Sequence, residues 1–252
     1  MIIHPVTCQD IERAFAELQV PPDSVLYVAA SLAGLVSLPS PVEDTLRALR
    51  HLVGPSGTIV MPSFSWDFCD SGHFDRERTP THCGLLAEAF RITPGVRRTW
   101  SPPYHTVCAS GPQAETITSI ESRTSFGADS VFQYLVDHDA LVLLIGCGFN
   151  DGVAHVHWLE ETIGVPYRRH QMYTGTITRN GLTRSMTFQR YVRSDDVRLN
   201  AKPIEDALES AGAIRHSAVG LALCSAFSLA DFARILTPVF RRHPCIMVEE
   251  RT

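Results

Sequence analysis

Apolar positions along the chain follow two rhythms. In TCQDIERAFAELQV, Ile11, Ala14, Phe15 and Leu18 recur at helical spacing behind a capping-type Thr7, and Pro21-Pro22 closes the segment, so the spacing predicts an amphipathic helix. DSVLYVAASLAGLV is a short apolar run with β-branched residues and Tyr27, which predicts a buried strand entering a small-residue turn over 29–34. PVEDTLRALRHLVG, stopped by Gly54, predicts a second helix, and GTIVMPSF a second buried strand. The following SWDFCDSGHFDRERTPTHCG is polar, aromatic and rich in turn formers, too long for a plain connection, and long irregular loops in compact domains are usually functional. A helix LLAEAFRITPG, a Pro-rich turn SPPYH, a strand TVCASG and a helix near DSVFQYLVDH lead to the most apolar strand, ALVLLIGCG. TGTITRNGLTRSMTFQRYV alternates polar and apolar residues around Asn180-Gly181, a hairpin pattern. In the tail, KPIEDALESAGAI and SLADFARILTPVF read as helices flanking a strand-like AVGLALCSAF.

Helices alternating with buried strands predict an α/β fold in one domain over 1–252: a mainly parallel central sheet flanked by helices, with a small antiparallel β element. Ligands in such folds gather at the carboxyl ends of the strands. The turns at 29–34, 62–67, 111–113 and 146–157 are therefore the places to look for chemistry.

Composition narrows the partners. The chain has 252 residues, 44% of them hydrophobic, enough for a substantial core. A net charge of −5, from 22 basic and 27 acidic residues, argues against nucleic acid or an anionic membrane as the main partner and favours a cationic or neutral small molecule. MIIHPVTCQDIERAF has neither a cationic start nor a long apolar run, and no later stretch reaches the length of a membrane span; the expected location is cytoplasmic. Seven cysteines without a CxxC pair read as reduced packing residues, Cys108 included.

Histidine is the side chain best suited to general base work near neutral pH, so a histidine with a carboxylate beside it is the first candidate for chemistry. In a helix, His157 of AHVHWLEETIG shares a face with Glu160 and Glu161, either of which would orient the imidazole. A capping or surface His–Glu pair has the same spacing. In an extended segment, His155 and His157 would instead face one way as metal ligands, with Glu160, Asp151 or His105 as further donors, although no HxxxH or CxxC accompanies them. His105 lies between a rigid turn and a strand, and the Thr106 hydroxyl next to it could donate to a thioester oxygen or a cofactor. Asp67, Asp70, Asp75 and Asp151, with Trp66 and Phe74, are placed to attract a cationic amine, although a solvated acidic loop would look the same. The phosphate-binding patterns GxxxxGK[ST], GxGxxG and the [QR]xxGx[GA] loop of GCN5-type acetyltransferases are all absent.

From about Val25 to Pro244, successive blocks resemble the aminoglycoside 3-N-acetyltransferase family. They are LYVAASLAGLV, VGPSGTIVMPSFSWDF, FDRERTPTHCGLLAEAFR, RTWSPPYHTVCASGP, SFGADSVFQYL, LVLLIGCGFNDGVAHVHWLEETIGVPYR and VGLALCSAFSLADF. The resemblance implies an N-acyltransferase fold unlike the GCN5 type. It also implies transfer of an acyl group, normally acetyl, from coenzyme A or a phosphopantetheine acyl carrier protein to an amine of an aminoglycoside, amino sugar or natural product. Carried over, Ala30, Ser31, Leu32 and Thr106 lie near the donor, with His157 as the base and Glu160 as its partner. From position and charge rather than from the resemblance, His105 joins the donor side, and Asp67, Asp75, Asp151 and Glu161 the acceptor side. The chain departs from the family pattern at Ala29 and Pro102, where histidines are usual, and at Ala154, where a threonine is common. A metal-dependent amidohydrolase built on His155, His157 and Glu160, and a non-catalytic amine-binding protein, are the competing readings.

Overall fold

A computed structural model describes residues 6–250. The chain runs through α1 (Cys8–Glu17), β1 (Val25–Ala30), a 3-10 turn (Leu32–Leu35), α2 (Pro41–Val53) and β2 (Thr58–Pro62). The long polar stretch folds into α3 (Asp67–Ser71) and β3 (His73–Asp75), followed by α4 (Leu85–Arg91), β4 (Arg97–Arg98), β5 (Val107–Ser110), α5 (Ala114–Thr118) and α6 (Val131–Asp137). Next, β6 (Leu141–Ile145) passes through α7 (Phe149–Gly152) into α8 (His155–Ile163), and β7 (Arg168–Arg179) pairs with β8 (Leu182–Arg193) across the Asn180-Gly181 turn. The remaining elements are β9 (Val197–Leu199), α9 (Lys202–Ser210), β10 (Arg215–Val219), β11 (Ala222–Ser228), α10 (Leu229–Arg242) and β12 (Val248–Glu250).

Seven strands form the central sheet in the order β10-β11-β6-β1-β2-β5-β4. Its middle, β6-β1-β2, is parallel; the strands on both flanks pair antiparallel. Side-chain alternation explains why the middle strands read as continuous apolar runs. Val25, Tyr27 and Ala29 of β1 enter the core beneath α6, α8 and α10, while Leu26 and Val28 enter the core beneath α1 and α2. Both faces are buried, so neither alternate set is polar.

The capping box expected at Thr7 is present: its hydroxyl accepts from Asp10 N, and its own N–H donates to the Asp10 carboxylate at 2.9 Å. The segment AVGLALCSAF corrects its reading as one strand. It turns at Gly220, φ +59°, and supplies the end of β10 and most of β11. The apolar run hides the turn because Leu221, although apolar, is exposed at its tip.

The β7–β8 hairpin and β3 make a second sheet that packs on Phe68, Phe74, Trp100 and Tyr104. Gly175 permits the approach, since a Cβ there would stand 2.4 Å from Gly72 O. Among the described residues, no helix is long and apolar enough to cross a membrane.

Candidate active site

Two clefts meet at Trp66, His105 and His157. The first, about 410 Å³, lies at the carboxyl ends of the three parallel strands. Ala29, Ala30 and Ser31 line it from the end of β1, Pro62, Phe64 and Trp66 from β2, and Cys147 with residues 150–154 from the turn after β6. Two turns are pinned together here. Gly146 has φ +61°, a Cβ on it would come within 2.5 Å of Ser31 O, and Ser31 N donates to Ile145 O at 2.8 Å. The second cleft, about 430 Å³, opens toward the β7–β8 hairpin and carries Arg168, Arg169, Tyr173, Arg190 and Tyr191. Trp66, His105 and His157 belong to both walls.

His157 sits on the first turns of α8, its side chain 27% exposed, and its Nδ1 lies 2.6 Å from Glu160 Oε2. Glu160 is fully buried and saturated: Arg168 Nη2 approaches Oε2 at 2.8 Å and the Tyr167 hydroxyl donates to Oε1 at 2.9 Å. Burial alone would raise the Glu160 pKa. The His157 ring and the Arg168 guanidinium more than offset that and hold the carboxyl below its ordinary range. An ionised Glu160 accepts the proton on His157 Nδ1, which leaves Nε2, without a partner among the described residues, as the basic nitrogen. Arg168 Nη2 is also 3.1 Å from Nδ1, so the guanidinium closes a compact cluster with Glu160 and the ring.

The other expected residues divide between those the cleft gathers and those it does not. Ala30, Ser31, His105 and Asp151 line the first cleft with His157. His105 is buried among Phe64, Trp66, Tyr104 and Phe126, its Nδ1 2.6 Å from Ser125 Oγ; burial, then the charge of Arg190, holds its pKa far below the usual value. It is a neutral wall of the cleft. Leu32 packs instead against the core on the α2 side of the sheet.

Thr106 corrects its expected role. Its hydroxyl is fully buried, donates to Ser63 O and accepts from Arg98 Nε, so nothing remains to offer a thioester. Asp75 turns away as well: its Oδ1 accepts from the N–H groups of Glu77 and Arg78 at 2.9 Å, closing a local turn. Glu161 is directed at Thr124 and the Phe126 backbone, where burial raises its pKa. Asp67 lies in α3 beside His82, 3.6 Å away, at the rim.

The metal alternative fails on geometry. HVH is helical, so residues two apart point to different sides. His155 is fully buried between Tyr27 and Phe132, neither ring nitrogen has a hydrogen-bond partner among the described residues, and burial pushes its pKa down to about 3. Cys108 is buried with its thiol pKa pushed up by burial, as expected of a packing residue. Sequence reasoning missed Tyr167, Arg168 and Arg190. The first two follow Gly164, whose left-handed turn folds the start of β7 back onto α8; the PYR segment after that glycine was the available signal.

Comparison with known proteins gives concordant matches. The family model described as aminoglycoside 3-N-acetyltransferase matches residues 27–241. An aminoglycoside N(3)-acetyltransferase III from Salmonella sp is 29% identical over 266 aligned residues, covering 94% of this chain and 92% of the relative. The crystal structure of aminoglycoside acetyltransferase AAC(3)-Xa superposes with a TM-score of 0.84 at 23% identity, covering 95% of this chain and 94% of that one. The structure of AAC-IIIb in binary complex with CoASH superposes with a TM-score of 0.81 at 19% identity, covering 94% and 96%. At those identities, the two structures speak for the fold.

Proposed function

Because the chain belongs to the aminoglycoside 3-N-acetyltransferase family, and is thereby an acyltransferase, we propose that it moves an acetyl group from acetyl coenzyme A to an amine of a small amino-sugar-like acceptor by direct attack. One observation carries the reading: the Glu160-bound His157 stands where two clefts meet, so donor and acceptor can reach it from different sides.

In this reading the first cleft takes the donor arm. Its walls are a Ser31 turn, Pro62 and Phe64, with no Lys or Arg among the described residues, a lining suited to the neutral pantetheine chain. The CoASH complex of a relative favours free coenzyme A over a carrier protein as donor. His157 Nε2 accepts the proton of the attacking amine as the C–N bond forms. The C–S bond then breaks, and the imidazolium returns the proton to the departing sulfur. Glu160 stabilises the charged ring during that interval, and Arg168 and Tyr167 fix Glu160. Asp151 is the one carboxylate of the first cleft among the described residues and remains a candidate contact for a cationic group.

Purified protein given acetyl coenzyme A and a panel of amino sugars should release free thiol only when an amine is present. Mass spectrometry should then find that amine heavier by one acetyl group. Thiol release at the same rate without any amine would make the protein a thioesterase instead.

A further inference from the structure

The second cleft is strongly basic in a chain of net negative charge. Among the described residues, Arg168, Arg169, Arg190 and Arg193 line it against one carboxylate, Asp195, whereas the first cleft holds Asp151 and no Lys or Arg. Arg168 is committed to Glu160. Arg169 and Arg190 have no carboxylate partner among the described residues. Arg190 is nonetheless held in place: its guanidinium carbon stands 4.7 Å over the Trp66 ring and 5.9 Å from that of Tyr104, with Nη1 3.7 Å from Cys69 Sγ. Stacking fixes the plane of the guanidinium and leaves N–H groups at its edge, the arrangement that takes a phosphate or carboxylate in two parallel hydrogen bonds.

We propose that this cleft receives an acceptor carrying an anionic group, phosphate, phosphonate or carboxylate, beside its amine, with Arg190 and Arg169 docking the anion while the amine faces His157. The inference rests on the acetyl-transfer reading above and specifies its substrate. The phosphates of the donor are the other anions to consider. In coenzyme A an extended pantetheine arm separates them from the thioester, whereas Arg190 is only one ring away from His105 and Arg168 touches His157 itself. An anion so close to the reacting centre belongs to a short molecule. The positive field also lowers the pKa of an acceptor ammonium, which makes the neutral amine easier to reach, and it repels a polycation.

The test measures thiol release from acetyl coenzyme A with three acceptors: glucosamine, a glucosamine phosphate and a polyamino-sugar antibiotic. The phosphate is expected to exceed the other two in kcat/KM by about tenfold or more, as a charge-assisted contact implies. Arg190→Gln should remove that preference by raising the acceptor KM, with the acetyl coenzyme A KM unchanged and Arg190→Lys intermediate. The exposed Arg169→Gln, which perturbs packing less, should shift the same parameter in the same direction. Preference for the polycation, or equal rates for all three, would overturn the inference and leave acetyl transfer standing. A rise in the acetyl coenzyme A KM in Arg190→Gln would assign the guanidinium to the donor phosphates and overturn it too. No amine-dependent thiol release with any acceptor would remove the acetyl-transfer reading itself.

Discussion

Two buried titratable residues on α8 make the fold sensitive to acid, one because it must stay ionised and one because it must stay neutral. Folded Glu160 binds its proton more weakly than a glutamate of the unfolded chain, whose pKa is about 4.3. Its cluster therefore contributes stability above that pH, and the contribution is lost as pH falls through the lower folded value. Glu160→Gln should flatten this acid limb. It should also cost about 3 kcal/mol in urea unfolding at neutral pH, because Arg168 would keep its charge in a nearly buried site without its carboxylate. Equal stability of the two proteins at pH 7 would show that the cluster is not a coupled unit. His155 acts in the same direction by a different route. Its folded pKa is about 3 against about 6.5 unfolded, so the unfolded state binds the proton first and stability falls as pH drops through that interval. At pH 5 the penalty is about 2 kcal/mol, and His155→Phe, which keeps an aromatic ring between Tyr27 and Phe132, should escape it. Comparing midpoints at pH 7 and pH 5 checks this; a parallel loss in both proteins would mean that His155 titrates normally.

At the scale of elements, turns with fixed partners carry the site. Gly146 after β6 holds a positive φ and abuts the Ser31 carbonyl, so the ends of β6 and β1 shape the first cleft jointly. Gly146→Ala should lower stability by about 1–3 kcal/mol and raise the acetyl coenzyme A KM, while acceptor KM stays near its original value. Unchanged donor KM would separate this turn from donor binding. Much of this level was legible in the sequence, because its signals are local: the Thr7 capping box, the Gly54 stop and the Asn180-Gly181 hairpin depend on residues a few positions apart. His157 and Glu160 were legible for the same reason, being one helical turn apart. What escaped depends on distant residues. Thr106 meets Ser63 and Arg98 across the sheet, and Arg190 reaches Trp66 only after the hairpin folds over the loop. Asp75 and Glu161 looked available because a sequence does not reveal which backbone N–H groups a carboxylate will cap.

At the scale of the molecule, the parallel centre of the sheet supplies one cleft and the β7–β8 hairpin the other wall of a second, with His157 between them. That layout suits a ternary complex, in which the acetyl group passes directly between bound partners and no acyl-enzyme forms. Initial-rate lines for varied donor and acceptor should intersect, and Cys108→Ala should keep its kcat, since that thiol lies sealed in the core. Parallel lines with an acetylated cysteine would describe a different enzyme. The most direct test of the whole account is His157→Ala, measured by amine-dependent thiol release at saturating acetyl coenzyme A and acceptor, with donor affinity determined separately by calorimetry. Loss of a positioned base predicts a kcat lower by about a hundred- to ten-thousand-fold with donor affinity unchanged; a variant that keeps near-original kcat at neutral pH would contradict the assignment of His157 as the base.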